Sequence, residues 1–254
     1  MEDDVKALTR RIAGAVADGL GRGTEVRVPD VGGPTHASTG QATSRAGFGR
    51  RWVVRVTAGE VLGFTAPAAV GAALATAPAA VEVPALVAAG LVEGALLGSA
   101  QASVLRRALP ALRTGQFVLA TALAAATAYA IAMLPVMLGD RLSALPVVVL
   151  AAGGAVLGAV LLASIGTAQW LVLRPVAPRS VFWIPATAAA WVVALGAFLA
   201  VSTPLWQPGQ PFALTAAIGV LAGLVMAVTV AVVTLPAALR LTRGGTWSDE
   251  TIGA

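Results

Sequence analysis

Two carboxylates stand where a carboxylate is hardest to keep. Glu60 and Glu93 are the only acidic or basic residues set well inside long apolar runs, and near the centre of a membrane helix such a charge costs on the order of 3 kcal/mol by insertion scales. A side chain held at that cost faces protein or water. It then either exists as a neutral acid bonded across a helix interface or serves as an ion or proton site. Gln101 and Gln169, also inside apolar runs, have the donors and acceptors to cross-link helices or to line a polar cavity. Other chemistry finds few residues. There is no Cys and one His, His36, in a Gly/Thr/Ser-rich stretch without a companion, so zinc, haem and Ser-His hydrolytic sites lack their ligands and bases. No aspartyl dyad can form in the runs, and no phosphate-binding Gly-rich fingerprint occurs in a suitable context. An enzyme is not expected, and neither a metal nor another cofactor.

The elements that hold these residues are membrane helices. The 254 residues are 57% hydrophobic and 11% charged, against roughly 25% charged in soluble domains. Six apolar runs, at about 52–76, 84–105, 117–139, 145–173, 181–202 and 213–239, each reach the roughly 20 residues that a bilayer core demands. Arginines mark alternate boundaries: Arg50, Arg51 and Arg55, then Arg106, Arg107 and Arg113, then Arg174 and Arg179, then Arg240 and Arg243. The intervening loops carry Glu82, then Asp140 and Arg141, then no charge. By the positive-inside rule both termini are cytoplasmic. The net charge of +5 is therefore a matter of topology, and no nucleic acid partner is expected. Trp52, Trp170, Trp183 and Trp206 suit interfacial belts.

Before the first run, Val5, Leu8, Ile12, Val16 and Leu20 make one apolar helical face. This amphipathic helix is too short and too charged to span; it can lie on the cytoplasmic surface or dock a protein partner. Residues 21–50 read as a linker. The expected organisation is a cytoplasmic segment over 1–50, a transmembrane domain over 51–243 and a tail over 244–254.

An internal repeat is legible. Gly98-Ser99-Ala100-Gln101-Ala102-Ser103-Val104-Leu105-Arg106 and Gly166-Thr167-Ala168-Gln169-Trp170-Leu171-Val172-Leu173-Arg174 agree at six of nine positions. Pro110 and Pro178 follow at the same offset, and Phe117-Val118-x-Ala120-Thr121-Ala122 answers Trp183-Ile184-x-Ala186-Thr187-Ala188. Each unit holds two crossings, so the copies are parallel. With the first and sixth helices as a degraded third copy, three hairpins would surround a pseudo-threefold axis. Small residues at spacing four, Gly59/Gly63, Gly90/Gly94/Gly98, Gly154/Gly158 and Gly219/Gly223, are expected to pack helices closely. Pro67, Pro135, Pro185 and Pro236 predict kinks. With the flanking arginines as depth markers, Glu60, Gln101 and Gln169 each lie about 7.5 Å inward and Glu93 about 20 Å inward. Glu60 is thus expected to contact Gln101, Gln169 or both in a buried polar cluster, with Glu93 alone nearer the outer half.

The pattern G-x-A-Q-x-x-V-L-R, together with Gly59-Glu60-x-x-Gly63-Phe64 and Pro204-Leu205-Trp206-Gln207-Pro208-Gly209, resembles an uncharacterised family of bacterial multi-pass membrane proteins over residues 50–243. The resemblance implies a bacterial plasma membrane and no particular activity. The sequence therefore supports an all-α six-helix transmembrane bundle. Its leading function is a small transporter or channel-like protein with Glu60 and Glu93 in a polar path. The alternative is a scaffold or accessory subunit that recruits a partner through its N-terminal helix.

Overall fold

In a computed structural model, residues 36–242 are described. The chain divides into two compact units, Met1–Gln41 and Ala42–Ala254, and the second holds the spans. Six long helices carry them: α1 (His36–Leu74), α2 (Ala79–Ala108), α3 (Thr114–Ala132), α4 (Val147–Leu173), α5 (Trp183–Leu205) and α6 (Phe212–Leu241). Among the described residues there is no strand. With the short turns that extend α3 and α5, all six are long and apolar enough to cross a membrane, so the chain is a multi-pass membrane protein. The helix expected over residues 2–20 and the tail over 244–254 lie outside the described residues.

Two boundaries differ from expectation. Residues 36–50, read as linker, are helical: α1 begins at His36 and its span at Arg45. The residues there are polar and their apolar period is weak, so the helix does not announce itself in the sequence. Pro135 does not kink α3. The helix stops at Ala132 and a separate turn, Leu134–Leu138, carries Pro135 near its start. Pro185 lies in the first turn of α5, where a missing N–H breaks no bond. Pro67 and Pro236 lie inside α1 and α6 as expected.

The helices form a ring in chain order, closed by α6 against α1. In lipid no hydrophobic force joins helices, so contact depends on close backbone approach. Gly59 and Gly63 bring α1 onto α2: a Cβ on Gly63 would lie 3.1 Å from the Cα of Glu93, and one on Gly59 would strike Ala100. Gly94 and Gly98 bring α2 onto α3; a Cβ on Gly94 would lie 2.7 Å from the Thr121 carbonyl oxygen and 2.8 Å from the Ala122 Cα. Gly166 brings α4 onto α5 at Ile184 and Thr187, and Gly223 of α6 receives Phe64 of α1.

Three of the expected packing glycines pack against nothing. Around Gly154, Gly158 and Gly219 there is open space. All three sit in the helix halves remote from the arginine clusters at Arg106, Arg174 and Arg240, where α4 holds no buried residue from 147 to 160. The ring is tight at its arginine-bearing end and parts around α4 at the other.

Candidate functional site

At the tight end, a polar layer joins the ring. Gln169 Nε2 donates to Gln101 Oε1 at 2.6 Å and to Thr121 Oγ1 at 3.0 Å, while Trp183 Nε1 donates to Gln169 Oε1 at 2.7 Å. An indole N–H can only donate, which fixes the orientation of the Gln169 amide. Thr121 donates its own hydroxyl proton to the Phe117 carbonyl, leaving a lone pair for Gln169. The same layer ties α1 to α6, as Trp52 Nε1 donates to the Ala231 carbonyl at 3.1 Å and to Thr234 Oγ1 at 3.2 Å. Trp52 and Trp183 meet edge to face at 6.0 Å. Both are fully buried, as is Phe117. These two tryptophans are core residues and not interfacial anchors; their N–H groups have partners inside the protein and none is left to water. Trp206, by contrast, is exposed.

Deeper in the bundle lies the carboxyl site, and each of its groups is seated by a glycine one turn away. Glu60 of α1 is fully buried; Gly63 lets its helix settle on the backbone of Glu93 in α2. Gly90, one turn from Glu93, leaves the space that the Tyr129 ring of α3 occupies. Tyr129 Oη donates to Glu93 Oε2 at 2.6 Å. On its other side Glu93 lies beside Glu60: Gly63, one turn on from Glu60, packs on the backbone and Cγ of Glu93, and the two carboxyls are near enough to interact electrostatically. Among the described residues, no N–H or O–H donates a hydrogen bond to either oxygen of Glu60. The result is a line across three helices, Glu60, Glu93 and Tyr129, in which neither acid has a basic partner among the described residues.

The expected partners are therefore exchanged. Glu60 makes no hydrogen bond to Gln101 or Gln169; the two amides pair with each other and the two acids lie beside one another. Arg55 lies well inside α1 and does not mark the helix end. Because the α1 span starts at Arg45, Glu60 lies fifteen residues from its end. Glu93 lies the same fifteen residues from Ala108, the end of the α2 span, which puts both at about 22 Å at 1.5 Å per residue.

Beside Glu93 is a cavity of about 210 Å³ to which all six helices contribute, among them Phe64, Glu93, Tyr129, Leu161, Trp191 and Met226. Its lining side chains are apolar apart from Glu93, Tyr129 and the indole N–H of Trp191. One to two turns towards the arginines the amide and tryptophan layer closes it. Towards the other end its α4 wall continues into the bare stretch 147–160. Tyr129 and Trp191 were missed in the sequence. A signal existed for the first: it is the single Tyr of the chain, inside an apolar run, where a phenol needs a partner. Trp191 had none, because an aromatic residue in an apolar helix is ordinary packing material.

Compared with protein-family models, curated proteins and solved structures, the chain matches none.

Proposed function

We propose that the chain is a small proton-linked transporter of a bacterial plasma membrane, with its arginine-bearing end and both termini in the cytoplasm. The observation that carries this reading is the placement of Glu93 and Tyr129 on the wall of a cavity shared by all six helices, with Glu60 behind them. Two neighbouring buried carboxyls disfavour both holding their charge at once, and one proton on the pair relieves the repulsion. Loss or gain of that proton at the wall couples the occupancy of the cavity to the charge of its lining. The closed amide layer then corresponds to a form shut towards the cytoplasm. Passage requires the Gln101, Gln169 and Trp183 bonds to break, and those bonds cross helices α2, α4 and α5.

The parallel repeat supports an axis along which such a change can run. Gly98 receives Val118 and Thr121, and Gly166 receives Ile184 and Thr187, which are the corresponding residues of the two matched segments. A rocking of one hairpin would thus have a counterpart in the next.

The test is proteoliposome flux. With a pH dye in the lumen and a panel of external solutes, wild-type protein is expected to show solute-evoked proton movement and Glu93→Gln to lose it at equal protein level. Unchanged proton movement in Glu93→Gln overturns the proposal. A scaffold reading draws on the bare half of α4, which a partner could cover; it requires instead that Glu93→Gln be tolerated.

A further inference from the structure

We infer that the central cavity is a binding site for a small organic cation with apolar substituents. This rests on the same site as the transport reading and names its ligand class.

Charge comes first. A carboxyl pair with one proton carries one negative charge, and buried charges are stable only when paired. Among the described residues neither Glu60 nor Glu93 has a basic partner. Tyr129 offers one hydrogen bond to Glu93 but no charge. The missing partner is therefore a cation, and only Glu93 of the pair lines the cavity where one could sit.

The lining then decides which cation. A hard inorganic ion such as Ca²⁺ or Mg²⁺ asks for about six oxygen ligands. This cavity presents a carboxyl, a phenol and the donor-only indole N–H of Trp191 and is otherwise apolar, so such an ion would lose more of its hydration than the site returns. A sugar or another polyhydroxylated solute meets the same deficit of hydrogen-bonding groups. An anion is opposed by the carboxyl. Aromatic rings, however, are well represented: Phe64, Tyr129 and Trp191 all line the space, and Phe198 backs Phe64 at 6.0 Å. Faces of this kind attract cations that carry little hydration, quaternary ammonium groups above all. The volume of about 210 Å³ equals that of about seven waters at ~30 Å³ each, which fits a tetraalkylammonium of modest size.

The route that the packing favours runs beside α4 from the end opposite the amide layer: Leu161 lines the cavity, and the preceding turns of α4, towards that end, carry no buried residue, so a cation entering there need not cross the amide layer.

The experiment is equilibrium binding of radiolabelled tetraethylammonium to the purified full chain in lipid nanodiscs. Saturable binding at one site per chain is expected. Glu93→Gln should weaken it at least tenfold, Trp191→Leu at least threefold, and the neutral analogue 3-ethyl-3-pentanol at tenfold excess should fail to displace it. Three results overturn the inference: no saturable binding, equal binding by Glu93→Gln, or displacement by the neutral analogue as effective as by unlabelled cation. If Glu93→Gln does not elute as folded protein, Trp191→Leu and the neutral competitor decide alone. Cation binding without any proton flux would leave this inference standing and sink the transport reading. Proton flux evoked by other solutes with no cation binding would do the reverse.

Discussion

Replacing single glycines by alanine should have opposite signs at the two ends of the ring. At Gly94 the added carbon would lie 2.6 Å from the Ala125 Cβ, 2.7 Å from the Thr121 carbonyl oxygen and 2.8 Å from the Ala122 Cα. Ordinary carbon contacts are ~3.5–4.0 Å, so α3 must retreat by about 1 Å, and two of the three obstacles are backbone that cannot rotate away. A gap of 0.5–1 Å forfeits roughly a quarter to a half of each dispersion contact along the seam, and overpacking costs typically about 1–3 kcal/mol. Retreat of α3 would also stretch the Tyr129–Glu93 bond. At Gly154 the same carbon meets nothing within 4 Å, so only helix propensity acts, favouring alanine by up to about 1 kcal/mol. The assay is thermal unfolding of the purified protein in one detergent, read as the fraction that still elutes as a monodisperse peak. Gly94→Ala should lower the midpoint clearly and Gly154→Ala should hold or raise it. Equal midpoints for the two variants would refute the close α2–α3 seam and the openness around α4 together.

Gln169→Leu leaves the Trp183 indole, the Gln101 carbonyl oxygen and Thr121 short of a partner at once; a loss of about 1–3 kcal/mol is expected in the same unfolding assay, against little change for Gln207→Leu at an exposed loop position. Reporter fusions at residues 110, 177 and 245 should report cytoplasm and those at 80, 142 and 207 the outside; an outside signal at 110 overturns the topology. Removal of residues 1–24 should leave solute-evoked proton flux intact, whereas a recruiting scaffold would lose its function with them.

The six spans could be read from composition because a membrane helix needs only length and carbon, and the sequence supplies both. Gly59, Gly63, Gly90, Gly94, Gly98 and Gly223 also sit at close approaches as their spacing suggested. The same spacing at Gly154, Gly158 and Gly219 did not, since a stripe of small residues shows that a helix can be approached and not that a neighbour is there. The partners of the polar residues were the least legible. Glu60 was placed by Arg55, and a long arginine can reach the interface from well inside a span, so it marks depth poorly. The pairing of Glu60 with Glu93 follows once the start of α1 is known, and the polar sequence of residues 36–44 conceals that start.

The central claim is that a cavity between the six helices reaches the Glu93–Tyr129 pair from the side opposite the arginines and is shut at the arginine end. Because the chain has no cysteine, one introduced thiol reports without background. Ala128→Cys in the cavity wall, treated in oriented membranes with a membrane-impermeant cationic thiol reagent, should react from the outside and not from the cytoplasmic side, while Ala102→Cys within the fully buried layer reacts from neither. Labelling of Ala128→Cys from the cytoplasmic side alone, or from neither side, would contradict the account.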